Sequence, residues 1–397
     1  MKLGLILTND WELYGDGSGD YFELQHRPLE ALLKAVESHG ARLTVMAEAG
    51  QQWAHRRLGE QEAWAQEIAS GWEAILKETV ARKSDVQLHL HPQWLNARYE
   101  NNRWQVDLSQ WSLSSLPGSV TEKVLKEGKQ YLDSLLQPVD PDYECIAFRA
   151  GNYCMQPSPG AVLGLLKAGF ICDSSVTRGM YAPQYYDYRG ACSSFLPWFA
   201  SPDNIKYRNA ENKGLLEIPI YSYETYVSLI LRELFPQLAN IISFGVGMSR
   251  RDRMWLSRNN KEKLKKYPLR SRPLMGRNIR SVRWLLSVII ARSAVQLDYD
   301  KLPPNVFVRL LQKIHESREV EAWRDKEVII PVVASGHVKG MYNCENIERI
   351  LDAIKAYFKD SLTFWTLGEA ARYWVKRAGT DSREAAPGSL EGGKLRP

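Results

Sequence analysis

Carboxylate and imidazole side chains occur in this chain in pairs with one residue between them: Asp10 and Glu12 in "LTNDWE", His89 and His91 in "LHLHP". On a strand, residues i and i+2 project from the same face, so each pair can converge on a single point. Pro92 stops the second strand just past its imidazoles, because proline cannot donate to a ladder. Two carboxylates and two imidazoles are a donor mixture that suits a zinc-like divalent ion. An ion held this way brings the pKa of its water to near ~7 and makes a hydroxide available at neutral pH. Taken alone, each pair reads equally as polar residues at the end of a strand, so the surrounding elements have to decide.

Those elements alternate. "KLGLILT" reads as a buried strand, and Leu29, Leu32, Leu33 and Val36 follow at helical spacing, closing at Gly40. Further strand-like runs are "RLTVMAE", "DVQLHLH", "ECIAFRA", "FICDSS", "LLEIPIYS" and "EVIIPVVASGH", with helical stretches between most of them. Alternation of this kind predicts parallel strands joined by crossover helices. In a parallel barrel the strand ends meet at one mouth. The ends here are polar: "TNDWE", "HLHP", "FRAGNY", "CDSS" and "ASGH".

Taken in order, "LTNDWE", "LHLHP", "FRAGNY", "GFICDSSV", "GLLEIPIY" and "ASGHVKG" resemble the motifs of the polysaccharide deacetylases of carbohydrate esterase family 4, over about 1–225 and 326–375. The resemblance implies an α/β fold, an incomplete (β/α)7-type barrel, and metal-dependent removal of N-acetyl groups from an amino sugar. By position it makes Asp10 the general base, Arg149 its partner and His337 the acid. It makes Glu12, His89 and His91 the ligands of one divalent ion, expected to be zinc. Two departures stand out. The family's first motif has adjacent aspartates, whereas Trp11 follows Asp10 here, which shifts the acidic ligand to Glu12. The family's histidines stand four apart, but four after His89 is Gln93, which leaves His91 as the second imidazole. These altered spacings keep a second reading open, a catalytically silent carbohydrate-binding barrel.

Tyr153, Asp173 and Trp198 are the expected substrate contacts, and the Tyr/Trp-rich stretch 181–207 is expected to cover the substrate. The amino-sugar glycan would belong to cell-surface polysaccharide or glycoconjugate biosynthesis and could be lipid-linked. No Gly-x-Ser-x-Gly elbow occurs, which argues against a serine esterase. The five cysteines follow no CxxC spacing, which argues against a disulfide framework and fits a reducing cytoplasm.

Charge is distributed unevenly. Residues 250–283 hold thirteen Lys or Arg against Asp252 and Glu262, a local +11 in a chain whose total is +6, which leaves −5 for the rest. The expected division is therefore a barrel over 1–225, a helical basic insertion over 226–325, the end of the barrel over 326–376, and a disordered tail over 377–397. Apolar runs flank the basic stretch; the first is broken by Arg232, Glu233 and Pro236, and the second is far below the roughly 20 residues a spanning helix needs. Residues 226–292 are expected to rest on an anionic membrane surface, on the inner face of the cell membrane. Without a recognisable binding motif, nucleic acid is not an expected partner.

Overall fold

Ten residues with an apolar majority, KLGLILTNDW, form the central strand β1 (Lys2–Trp11), and every one after Lys2 is buried. A strand buried on both faces is the mark of a parallel sheet covered by helices. In the computed structural model the described residues are 1–182, 185–228, 235–266, 292–341 and 343–381. The parallel strands that follow are β2 (Leu43–Glu48), β3 (Asp85–Leu90), β4 (Ala147–Ala150), β5 (Cys172–Asp173), β6 (Leu216–Glu217) and β7 (Ile329–Ala334). Their order across the sheet is β6-β5-β4-β3-β2-β1-β7.

A single parallel bridge between Ile220, just past β6, and Val333 of β7 brings the two ends of this sheet together. The seam is narrow, so the expected incomplete (β/α)7-type barrel is the architecture found. A short strand, β8 (Leu362–Phe364), shares the β2 side of β1, pairing with its first residues while β2 pairs with its last.

Crossover helices supply the outer layer: α1 (Arg27–Ser38), α2 (Ala49–Gly59), α3 (Ala63–Ala81), α4 (Gly118–Leu136) and α5 (Ser158–Lys167). In α1 the buried residues are Leu29, Leu32, Leu33, Ala35 and Val36, the apolar stripe of a helix lying on a sheet.

The chain leaves the barrel along Ser222–Ser228 and returns along Arg292–Gln296, which pair with each other antiparallel. Between them lie α6 (Pro236–Phe244) and α7 (Arg250–Lys266); residues 267–291, the rest of the basic stretch and the second apolar run, lie outside the described residues. The helix α8 (Pro304–His315) buries Val306, Phe307, Leu310, Leu311 and Ile314 and packs beside α9 (Glu345–Phe358). It therefore belongs to the barrel's outer layer, and the excursion itself is confined between the paired strands. The last helix, α10 (Leu367–Asp381), runs through the start of the expected tail because Leu367, Ala370 and Ala371 are buried against the sheet. Residues 382–397 lie outside the described residues.

The stretch expected to cover the substrate divides between core and surface, with Tyr181 and Tyr207 exposed. Tyr188, Phe195, Trp198, Phe199 and Ile205 are buried, because the chain there adds an antiparallel strand, Trp198–Phe199, to the edge of β6.

Candidate active site

Register brings the chemistry together. Leu7 of β1 lies opposite Ala334 of β7, so Asp10 and His337, each three residues further on, arrive at the same height. Across the other strands Glu48 pairs with His89 and His89 with Arg149. All of these lie at the C-terminal ends of parallel strands, where barrel enzymes place their chemistry.

Two charge systems meet here. In the first, Arg149 donates through Nη1 to Asp10 Oδ1 at 2.6 Å and to Thr8 Oγ1 at 2.8 Å, and through Nε to the Ser174 carbonyl at 2.7 Å. Burial opposes ionisation of Asp10, but the charge and hydrogen bond of Arg149 outweigh it and hold the carboxyl below the usual aspartate value. The other oxygen, Asp10 Oδ2, is 3.5 Å from His337 Nε2. Desolvation pushes His337 down to about 4 against the pull of Asp10, so its resting ring is neutral. Its side chain is 21% exposed, against 2% for Asp10, which makes it the member of the pair that faces the opening.

In the second system Glu12 Oε2 lies 2.5 Å from His91 Nε2 and 3.5 Å from His89 Nε2. His89 Nδ1 is 2.9 Å from the Arg149 carbonyl, a contact that fixes the proton on Nδ1 and turns the Nε2 lone pair toward Glu12. His89 Nε2 and both ring nitrogens of His91 are buried and make no hydrogen bond of ordinary geometry. Buried polar atoms are nearly always satisfied. Buried imidazole nitrogens converging on a carboxylate suit a cation held by Glu12, His89 and His91.

The sequence reading missed Glu48. It contributes a ligand atom within 4.8 Å of those of Glu12, His89 and His91. Its oxygens accept from Gly50 N at 2.8 Å, capping the first turn of α2, and from the His91 N at 2.8 Å. Burial raises Glu48 to about 8 despite the pull of His91. Its only sequence signal is its position at the end of β2, a strand end not quoted among the motifs. Lys339 was also missed; its Nζ lies 2.6 Å from Glu12 Oε1. With His91, it draws the Glu12 carboxyl well below its usual value against the cost of burial.

The remaining expected residues divide. Tyr153 sits beside this centre, its hydroxyl 3.4 Å from Gln296 Nε2, on a turn where Asn152 and Tyr153 both take positive φ (52° and 57°). Such backbone conformations cost energy and concentrate at functional sites. Asp173 does not reach the opening. It is fully buried, accepts from Ser175 N at 2.9 Å, and burial raises it to about 6 beside Glu217, itself raised well above its usual value. The structure gives it the role of steadying the turn that Arg149 bonds. Trp198 is not brought to the site either: its indole N–H donates to the Ile205 carbonyl at 3.0 Å within the core. Gln93 turns away from the imidazoles and donates to the Gly15 carbonyl at 3.1 Å.

No protein-family model and no curated protein sequence matches the chain. Among solved structures it is similar to a Mycobacterium smegmatis protein assigned as a polysaccharide deacetylase (TM-score 0.44, 13% identity, 99% of this chain and 95% of that one). A Pseudomonas aeruginosa PAO1 protein with the same assignment gives a TM-score of 0.41 and 13% identity over 94% of this chain and 90% of that one. A branching enzyme from Pyrococcus horikoshii gives 0.43 and 11% over 93% and 70%. Such low scores leave the activity to the site itself. What the chain's own strand order establishes is an incomplete parallel barrel with a buried Glu/His/His cluster and an Arg-paired aspartate at one end.

Proposed function

We propose that the protein is a metal-dependent hydrolase that removes an N-acyl group from an amino sugar. The observation that carries the reading is the pairing of two neighbouring systems: unsatisfied imidazole nitrogens facing Glu12, and an ionised Asp10 held by Arg149 within 3.5 Å of His337. A divalent ion held by Glu12, His89 and His91, when bound, supplies Lewis acidity and lowers the pKa of water. Glu48 stands close enough to complete the donor set.

The chain's own groups carry the proton traffic. Asp10 takes the proton of the attacking water as the oxygen adds to the acyl carbon. Arg149 keeps Asp10 ionised and fixed until then. The proton passes across the 3.5 Å between Asp10 Oδ2 and His337 Nε2, and His337 delivers it to the nitrogen as the carbon–nitrogen bond breaks. The products are a free amine and a carboxylic acid, which releases its remaining proton to solvent at neutral pH. Tyr153, beside Asp10 and Arg149, is the candidate contact for the sugar. The amino-sugar class rests on the resemblance of the motifs, and a place in cell-surface glycan synthesis goes with it.

The test is acetate release from N-acetylated hexosamines by metal-loaded protein, compared with Asp10→Asn. Loss of a general base lowers the rate by about 100-fold or more, while bound metal should stay at the wild-type level. Metal bound with no acetate released from any N-acetylated sugar would favour the second reading, a carbohydrate-binding barrel without catalysis.

A further inference from the structure

Among the described residues between the paired strands, the basic charge lies on helix α7, which is anchored at the mouth of the barrel. One face of α7 is fixed there: Asp252 pairs with Arg349 at 2.6 Å, the Trp255 indole N–H donates to Asn343 Oδ1 at 3.2 Å, and the Asn259 amide donates to the Asp300 carbonyl at 3.1 Å. These three residues are spaced i, i+3 and i+7, one stripe of a helix. They attach α7 beside Val338–Gly340, the turn that directly follows His337.

The other face is turned to solvent and is basic. Arg250, Met254, Arg258 and Lys261 follow one another at intervals of four, four and three and are all exposed. Arg250, Arg251, Met254, Trp255, Arg258 and Glu345 line a cleft of about 410 Å³. Arg251 is neutralised there by Glu345, 2.7 Å away, whereas Arg250 and Arg258 have no carboxylate partner among the described residues.

Immediately before α7, helix α6 exposes apolar side chains in the same way. Leu238, Ile241 and Ile242, at i, i+3 and i+4, are 47%, 46% and 56% exposed, and Phe235 before them is 57% exposed, whereas Ala239 and Asn240 are buried. The Met248 amide donates to Gln237 Oε1 at 2.9 Å and ties the two helices together. An exposed apolar stripe joined to an exposed basic stripe is the composition of a surface that lies in the headgroup layer of an anionic bilayer.

We propose that α6 and α7 form a docking surface for an anionic phospholipid membrane, with the apolar side chains of α6 entering the interface and Arg250, Arg258 and Lys261 meeting phosphodiester headgroups. The charge of the patch selects this occupant: a second copy of the chain would bring the same positive stripe against itself. The anchoring of α7 next to His337 then fixes the opening of the barrel close to the headgroup layer, where a membrane-tethered substrate would present its sugar. Docking is read out by binding alone, so it stands or fails separately from hydrolysis.

The experiment is flotation of the full chain with vesicles of phosphatidylcholine, alone or with phosphatidylglycerol at increasing fraction, at low and high salt. Binding should require phosphatidylglycerol and weaken as salt shortens the range of the charges. Each basic residue near such a surface contributes about a fivefold gain in partitioning, so Arg250→Gln, Arg258→Gln and Lys261→Gln together should weaken binding by about 100-fold. Leu238→Ser, Ile241→Ser and Ile242→Ser together should also weaken it, with the protein monomeric before and after. Equal binding to both vesicle types, undiminished binding by the neutralised variant, or a wild-type dimer that the serine variant dissociates would each overturn the proposal.

Discussion

Arg149 and Asp10, 139 residues apart in the chain, meet at 2.6 Å with side chains 0% and 2% exposed. The guanidinium spends its other donors on Thr8 and Ser174, so three strand ends are fixed by one side chain.

Removing one partner of a buried pair leaves the other charge unpaired, at about 3–5 kcal/mol. Arg149→Met is expected to lose stability on that scale by urea unfolding. Asp10→Asn combined with Arg149→Met should recover part of the loss, because no buried charge is left over. A double variant as unstable as the single one would show that Arg149 acts through Thr8 and Ser174 alone.

In the proposed metal site His89 and His91 would supply two of the three protein ligands that are the minimum for a catalytic zinc-type site. Either alanine variant is expected to lose most bound metal by elemental analysis, with its folding checked by circular dichroism. Wild-type metal content in the His89→Ala, His91→Ala double variant would sink the assignment.

Glu48 offers a ligand atom but already accepts backbone N–H groups from Gly50, Gln51 and His91. Glu48→Gln should therefore keep most of its metal and lose about 1 kcal/mol of stability, the typical cost of a weakened helix cap. Metal loss without any stability loss would instead make Glu48 a required ligand.

Gly151 lies under the His91 ring, where an added Cβ would stand 2.6 Å from His91 Cγ. An added methyl there would press on the ring that faces Glu12. Gly151→Ala should cost about 1–3 kcal/mol from overpacking and lower metal affinity as well, both measurable on purified protein.

His55 is buried between aromatic rings, with Nδ1 donating to the Gln51 carbonyl at 3.0 Å, and burial lowers it to about 4. In the unfolded chain a histidine titrates near ~6.5. Its contribution is therefore complete above that value and is lost as pH falls toward 4, where the unfolded state binds the extra proton. Compared with His55→Gln, the wild type should lose about 2 kcal/mol between pH 7 and pH 5. Taking the difference between the two proteins removes the opposite trend of Asp85, which burial raises to about 6.

The alternation of strands and helices, the one-residue spacing of Asp10 with Glu12 and of His89 with His91, and the basic stretch were all legible in the sequence, because side-chain direction and net charge are local properties. Local spacing fixed which face each of these residues occupies. It could not fix which strand ends stand at one height, since that depends on register between strands far apart in the chain. Register is what adds Glu48 to the imidazoles and sets Asp10 level with His337. Composition could not sort the aromatic residues of 181–207: Tyr181 and Tyr207 are exposed, whereas Trp198 is core because its segment completes the edge of β6. Lys339 reached Glu12 by a turn no pattern announces. Faces are set by neighbours in sequence, whereas partners are set by the sheet that closes around them.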